Sequence, residues 1–334
     1  MTPARRRSAP LAFALVTLLL GTAASGQQPP DPRAEARPCE QTAAGCAPEK
    51  TGDEEAVFRP TTSGPFVTFT APIPAPGQVT AQPIFYAGFV RGAFDEAGAA
   101  QPLEPGERLG SAGLTFFLEA GVLSRLSVGA QAAVYHQWHT LPPASASATG
   151  PGDVQLFSRA VLVKERPTLL PEATLLAMVK LNTGNPITRN EELLDTDVLG
   201  SGSVDLTLGL DLTKGLRPVV LHADLLYTHP LPAVVGGVDT RYGDTFNWSA
   251  SVEWPLVEEV FALMVEMNGR HQGPPTVGGT LEEDARLDEV VLGGGVEVLF
   301  SPRVQLLVGY QRTLWGRNVP AADAVIVTVV PTLF

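Results

Sequence analysis

Twelve segments of this chain alternate apolar residues with polar or small ones at a period of two, which limits the fold to antiparallel sheet. In "SVDLTLGLDLT" (203–213), Val204, Leu206, Leu208, Leu210 and Leu212 fall on one face. Asp205, Thr207, Gly209, Asp211 and Thr213 fall on the other. "TFNWSASVEW" (245–254) and "EVFALMVEMN" (259–268) repeat the pattern. The segments lie near 79–92, 109–121, 125–139, 152–163, 171–183, 202–213, 217–230, 242–254, 258–270, 287–300, 303–315 and 323–334. None reads as a helix.

Amphipathic strands do not say which face is inside. A soluble sandwich buries the apolar face, whereas a membrane barrel turns it to lipid. The connections decide. After the even-numbered segments they are short, as in "VLS", "KGL", "PLV" and "SP"; after odd ones they are mostly long: 93–108, 140–151, 184–201, 231–241, 271–286 and the shorter 316–322. That alternation predicts an all-β fold, an antiparallel transmembrane up-and-down barrel of about twelve strands over 79–334, with tight periplasmic turns and longer outer loops. An even strand number puts both ends on the periplasmic side. The chain stops on Phe334, which closes the last strand against the first and is expected to act as the barrel-assembly signal; Pro331 is expected to interrupt that strand's ladder.

Ahead of the barrel, 1–26 has a basic head (Arg5, Arg6, Arg7), an apolar stretch and a small-residue cleavage site, the pattern of an export signal peptide. No other apolar run is long enough for a transmembrane helix. Residues 27–78 carry ten prolines and read as a disordered periplasmic arm or linker, with "FVTFT" (66–70) as a weak strand candidate. Cys39 and Cys46 within it are expected to form a local disulfide. The leader holds three of the 23 basic residues and none of the 35 acidic ones, so the remaining chain carries a net charge of −15. That balance excludes nucleic acid as a partner.

No catalytic, metal or cofactor signature appears. The five histidines lack ligand spacing, "GGG" (293–295) has no helix after it, and no Gly-x-Ser-x-Gly elbow exists. Trp138 with His136 and His139 reads as interfacial girdle. With Asp205 and Asp211 setting the inward parity, the pore-lining candidates are Glu119, Arg159, Lys180, Asp205, Asp211, His222, Asp224, Glu253, Glu266 and Glu297, with Gln131 and Gln311 beside them. Pairs such as Lys180 and Asp205 either satisfy each other in a filled interior or line a water-filled pore; a barrel of this size allows both.

Three stretches carry a family resemblance. "GPGDVQLFSRAVLV" (150–163), "EATLLAMVKLNTGNP" (172–186) and "LGSGSVDLTLGLDLTKGL" (199–216), in this order, resemble the outer-membrane channel family associated with the MetA pathway of phenol degradation. Asn182 and Asn185 stand where that family tends to have Pro and Asp. The resemblance implies a transporter-like outer-membrane barrel passing small, hydrophobic or aromatic molecules. Its expected partners are outer-membrane lipid and lipopolysaccharide, the barrel-assembly machinery and a small-molecule solute. The rival readings are a structural or adhesion barrel whose acidic loops, "EELLDTD" (191–197) and "LEEDARLDE" (281–289), take divalent ions, and a barrel lipid hydrolase with a Ser–His pair.

Overall fold

The computed structural model describes residues 57–60, 62, 64–186, 193–257, 260–301 and 304–333. The leader, Cys39, Cys46 and Phe334 lie outside them. Twelve long strands run β1 (Val79–Phe94), β2 (Arg108–Leu123), β3 (Leu126–Leu141), β4 (Gln155–Val163), β5 (Glu172–Lys180) and β6 (Asp205–Leu216), then β7 (Val219–Pro230), β8 (Thr245–Val257), β9 (Phe261–Gln272), β10 (Leu287–Ser301), β11 (Val304–Arg317) and β12 (Val319–Leu333). Each pairs antiparallel with its sequence neighbours, and β12 pairs back onto β1, as in Ile84 with Thr328. The sheet is closed, so none of the twelve keeps an unpaired edge that would need covering.

The expected alternation holds, with turns of two to eight residues after β2, β4, β6, β8 and β10 and loops of thirteen to twenty-four after β1, β3, β5, β7 and β9. The connection after β11 is tighter than expected, because Asn318 alone makes the turn. It takes a left-handed φ of 50° and donates its amide to the Asp284 and Arg286 carbonyls at 2.7 and 2.9 Å. Consequently β12 begins at Val319 rather than near 323. The interruption expected at Pro331 is found on one side only: towards β11 it sits in register opposite Val304, whereas towards β1 the pairing lapses between Thr80 with Thr332 and Ile84 with Thr328.

The face assignment follows the period of two. Phe85, Phe89, Phe116, Leu118 and Leu208 are exposed on the outer wall, while Glu119, Asp211 and Glu253 are buried inside. A fold with apolar residues out and charges in is unstable in water and suited to lipid. Ionisable residues on the outer face sit near the strand ends, such as His136, Arg91 and Asp323 on the loop side and Lys164 and Lys214 on the turn side.

The arm departs from the expected loose order, because its described part enters the barrel. Phe66, Phe69, Ala71 and Ile73 are buried, and the strand expected over 66–70 does not form. Two packed clusters hold this segment. Phe69 packs with Phe117, Phe157, Leu176, Met178 and Leu226; Phe66 packs with Met264, Leu307, Ile326 and Val330.

Candidate functional site: a filled lumen under an outer vestibule

Residues 64–76 cannot pair as a strand in the middle of a lumen, so their backbone groups need side-chain partners. The barrel supplies them. The Val67 N–H donates to the Glu266 carboxylate at 3.1 Å, the Phe69 N–H to Asp224 Oδ2 at 2.9 Å and the Ala71 N–H to Thr213 Oγ1 at 2.8 Å. In the other direction, Thr174 Oγ1 donates to the Ala71 carbonyl at 2.6 Å. Arg159 donates to the Thr70 carbonyl and, at 3.3 Å, to Pro72. The same guanidinium reaches Glu119 at 3.2 Å and Asp211 at 3.1 Å and lies 5.6 Å from the Phe69 ring centroid. A fully buried arginine tolerates that position only when its charge and its donors are met together.

Space is provided by absent side chains. A Cβ at Gly295 or Gly309 would lie 2.5 or 2.6 Å from the Phe66 ring, so this pair forms the socket for Phe66. At Gly121 a Cβ would meet the Ala75 carbonyl oxygen at 2.1 Å, where the segment turns out towards β1. On the turn side, Arg59 pairs with Glu165 at 3.2 Å and with Glu172, and Arg217 lies over Phe58. The inserted segment therefore enters and leaves by the end that carries the short turns.

Of the ten pore-lining candidates, all face inward, but only Lys180, Asp205 and Asp224 reach open space. Glu119, Arg159, Asp211, His222, Glu253, Glu266 and Glu297 are sealed in the interior. Parity shows which way a side chain points and says nothing of what stands in front of it, so the period of two alone predicts all ten as pore lining. Gln131 and Gln311 do line the open space.

That open space is a vestibule of about 1710 Å³ on the loop side. Its floor includes Val67, Thr115, Gln131, Asp224 and Gln311. Apolar groups such as Leu109, Ala133, Met178, Leu199 and Leu226 form much of its wall, and exposed Glu96, Glu104, Glu282, Glu283 and Asp284 ring its mouth. Concave, mostly apolar sites with a few convergent polar groups are where small molecules bind.

The three signature stretches meet at the vestibule wall. Asp153 accepts the Thr183, Gly184 and Ser201 amides at 3.1, 2.9 and 3.0 Å. Lys180 bridges Asp153 at 3.2 Å and Asp205 at 3.0 Å, the pairing anticipated from sequence, and donates to Ser201. The two departures from the family pattern have roles here: Asn182 donates to the Gly202 carbonyl at 3.0 Å, and Asn185 to that of Asp197 at 2.6 Å. Tyr242 donates to the Ser201 carbonyl at 2.9 Å, and burial pushes its hydroxyl up to about 12, so it stays a donor. These bonds hold 181–186 and 193–204 against the wall and put Leu199 against Ala133 and Tyr135.

A further polar chain escaped sequence reasoning. Thr213 Oγ1 contacts His222 Nδ1 at 3.0 Å, and His222 Nε2 contacts Glu253 at 3.3 Å. The only sequence signal was the cross-strand register of Thr213 and His222, which no local motif marks. Thr213 Oγ1 accepts the Ala71 N–H, an approach along the amide N–H rather than over a carbonyl carbon, and none of the three lines the vestibule. Among the described residues no group of three or more His, Cys, Asp and Glu is placed to hold a metal ion.

A family model described as "Putative MetA-pathway of phenol degradation" matches residues 99–329. No curated protein matches the chain. Among solved structures, an outer membrane channel from Pseudomonas putida F1 is similar at a TM-score of 0.66 and 14% identity, covering 78% of this chain and 97% of that one. The NanC porin is similar at 0.46 and 7% identity, over 75% of this chain and 100% of its own, too loose a likeness to add to the argument.

Proposed function

The chain belongs to this family associated with phenol degradation and has an outer-membrane, channel-like barrel fold, and on that premise we propose that it admits small apolar or aromatic molecules from outside. The observation that carries the reading is the vestibule: open towards the loops, largely apolar in its wall, and closed at its floor by Val67 of the inserted segment. Passage onward requires that segment to shift, so the resting protein is a nearly closed channel and 64–76 is its gate. Its buried backbone N–H groups rest on Glu266 and Asp224, carboxylates that water would rehydrate once the segment moved. The barrel is not an enzyme in this reading, and its assembly proceeds through the barrel-assembly machinery.

Planar-bilayer recording tests the proposal. The intact protein should show small, infrequent conductance, and Phe66→Ser with Phe69→Ser, which weakens both packed clusters, should raise it severalfold. If both insert and neither ever conducts, the structural-barrel reading replaces this one. An ester-cleavage activity lost in His222→Ala would instead revive the hydrolase.

A further inference from the structure

The chain is acidic overall, with 35 Asp and Glu against 23 Lys and Arg, yet one sector of its outer wall reverses that sign. On the outward face of β11, β12 and β1, Asp323 Oδ1 lies between two guanidinium groups, Arg91 Nε at 3.2 Å and Arg312 Nε at 3.6 Å. The Tyr310 hydroxyl is hydrogen-bonded to the same carboxylate. Closer to the loops, Asp288 Oδ2 stands 3.8 Å from the Nε of both Arg286 and Arg317. Two carboxylates thus bracket four arginines.

Strand geometry puts this seam on the lipid side. Arg91 continues the outward row of Phe85 and Phe89, and Arg312 that of Val308 and Tyr310. The register shift opposite Val290 and Val291 turns Trp315 and Arg317 to the same face. Arginine in the hydrocarbon layer is strongly disfavoured, so the seam belongs at headgroup level, where Tyr310 and Trp315 beside it are also at home. Each arginine meets its carboxylate through Nε. Arg91 Nη2 also donates to the Thr313 carbonyl at 2.7 Å. The Nη groups of the half-exposed Arg286 and Arg312 have no hydrogen-bond partner among the described residues.

Guanidinium groups held with free Nη donors suit a ligand with several acceptor oxygens and negative charge, which in this layer is a lipid phosphate. We propose that the seam binds the phosphate groups of a phosphorylated outer-leaflet glycolipid of the lipid A type, directly and without a bridging divalent cation. The two aspartates offset only half of the charge of the four arginines and so leave each cluster with a net positive charge. The exposed apolar wall below, including Phe89, Val308 and Val325, lies where the acyl chains of such a lipid would run. This inference is independent of whether the lumen conducts.

Native mass spectrometry of the purified full-length protein in detergent with a chelator present provides the test. Lipid A should be retained about tenfold better than its dephosphorylated form, the scale of a lost charge-assisted contact. The Arg91→Gln, Arg312→Gln variant should lose about as much while keeping heat-modifiable gel mobility, and Arg241→Gln should lose nothing. Asp323→Asn, which removes the competing negative charge, should bind more tightly. Equal retention of both lipids, loss of binding on chelation, or displacement by equimolar inorganic phosphate would each overturn the proposal. Should the double arginine variant fail to assemble, Asp323→Asn decides the matter, since unchanged or weaker binding there is equally fatal.

Discussion

Arg159 is the residue on which the filled lumen most depends. It neutralises Glu119 and Asp211 and satisfies two carbonyls of the inserted segment at once. Arg159→Met removes a partner while leaving two buried carboxylates behind, a change that typically costs about 3–5 kcal/mol. The urea midpoint of the protein refolded in lipid vesicles should fall accordingly; an unchanged midpoint would mean that water already replaces the guanidinium. Gly309 offers a sharper test, because a Cβ there would collide with the Phe66 ring. Gly309→Val should expel Phe66 and make a cysteine placed at Thr68, which is fully buried beneath the vestibule floor, reactive to a small external thiol reagent. Adding Phe66→Ala should restore protection, since the two changes share one cavity and so do not add.

Among the elements, the 181–204 loop and the inserted segment set the shape of the vestibule, one at its wall and one at its floor. Asp153 ties down three amides of the loop and one lysine. Asp153→Ala leaves Asp205 as the one carboxylate beside Lys180 among the described residues and frees the loop from the wall. The expected outcome is proteolysis within 193–204 on intact cells that the parent protein resists, with the barrel itself still heat-modifiable. Equal resistance would show that Tyr242 and Asn185 hold the loop without Asp153. The inserted segment teaches the opposite lesson about pattern: "FVTFT" alternates like a strand, but with no free edge in the closed sheet its amides go to Glu266, Asp224 and Thr213 instead.

For the whole molecule, the asymmetry of the connections predicts sidedness. A tag in 273–286 should be accessible on intact cells and one at 217–218 should not; reversal would invert the barrel. Selectivity is a property of the same scale. In the resting state Asp211 is sealed with Arg159, so Asp211→Asn should leave the reversal potential unchanged if the protein assembles. The acidic mouth faces the solution. Replacing Glu282, Glu283 and Asp284 by their amides should shift the reversal potential towards anions in bilayers. That shift should shrink in high salt, where screening confines each charge to a few ångströms. A shift that persists at high salt would place the selecting charge deeper in the lumen.

Strand number, the alternation of short and long connections and the inward direction of the ten charged candidates were legible in the amino-acid sequence, because a period of two and the spacing of turns are local properties of the backbone. Lys180 with Asp205 was legible for the same reason, as neighbours on adjacent strands. What stands inside the barrel was not. The arm from 57 to 78 has the composition of a linker, and only in three dimensions does Phe66 find the space left by Gly295 and Gly309, or Arg159 find the Thr70 carbonyl 89 residues away. Those contacts join residues far apart in the chain through no common element. No periodicity records them, and closing the barrel brings them into being.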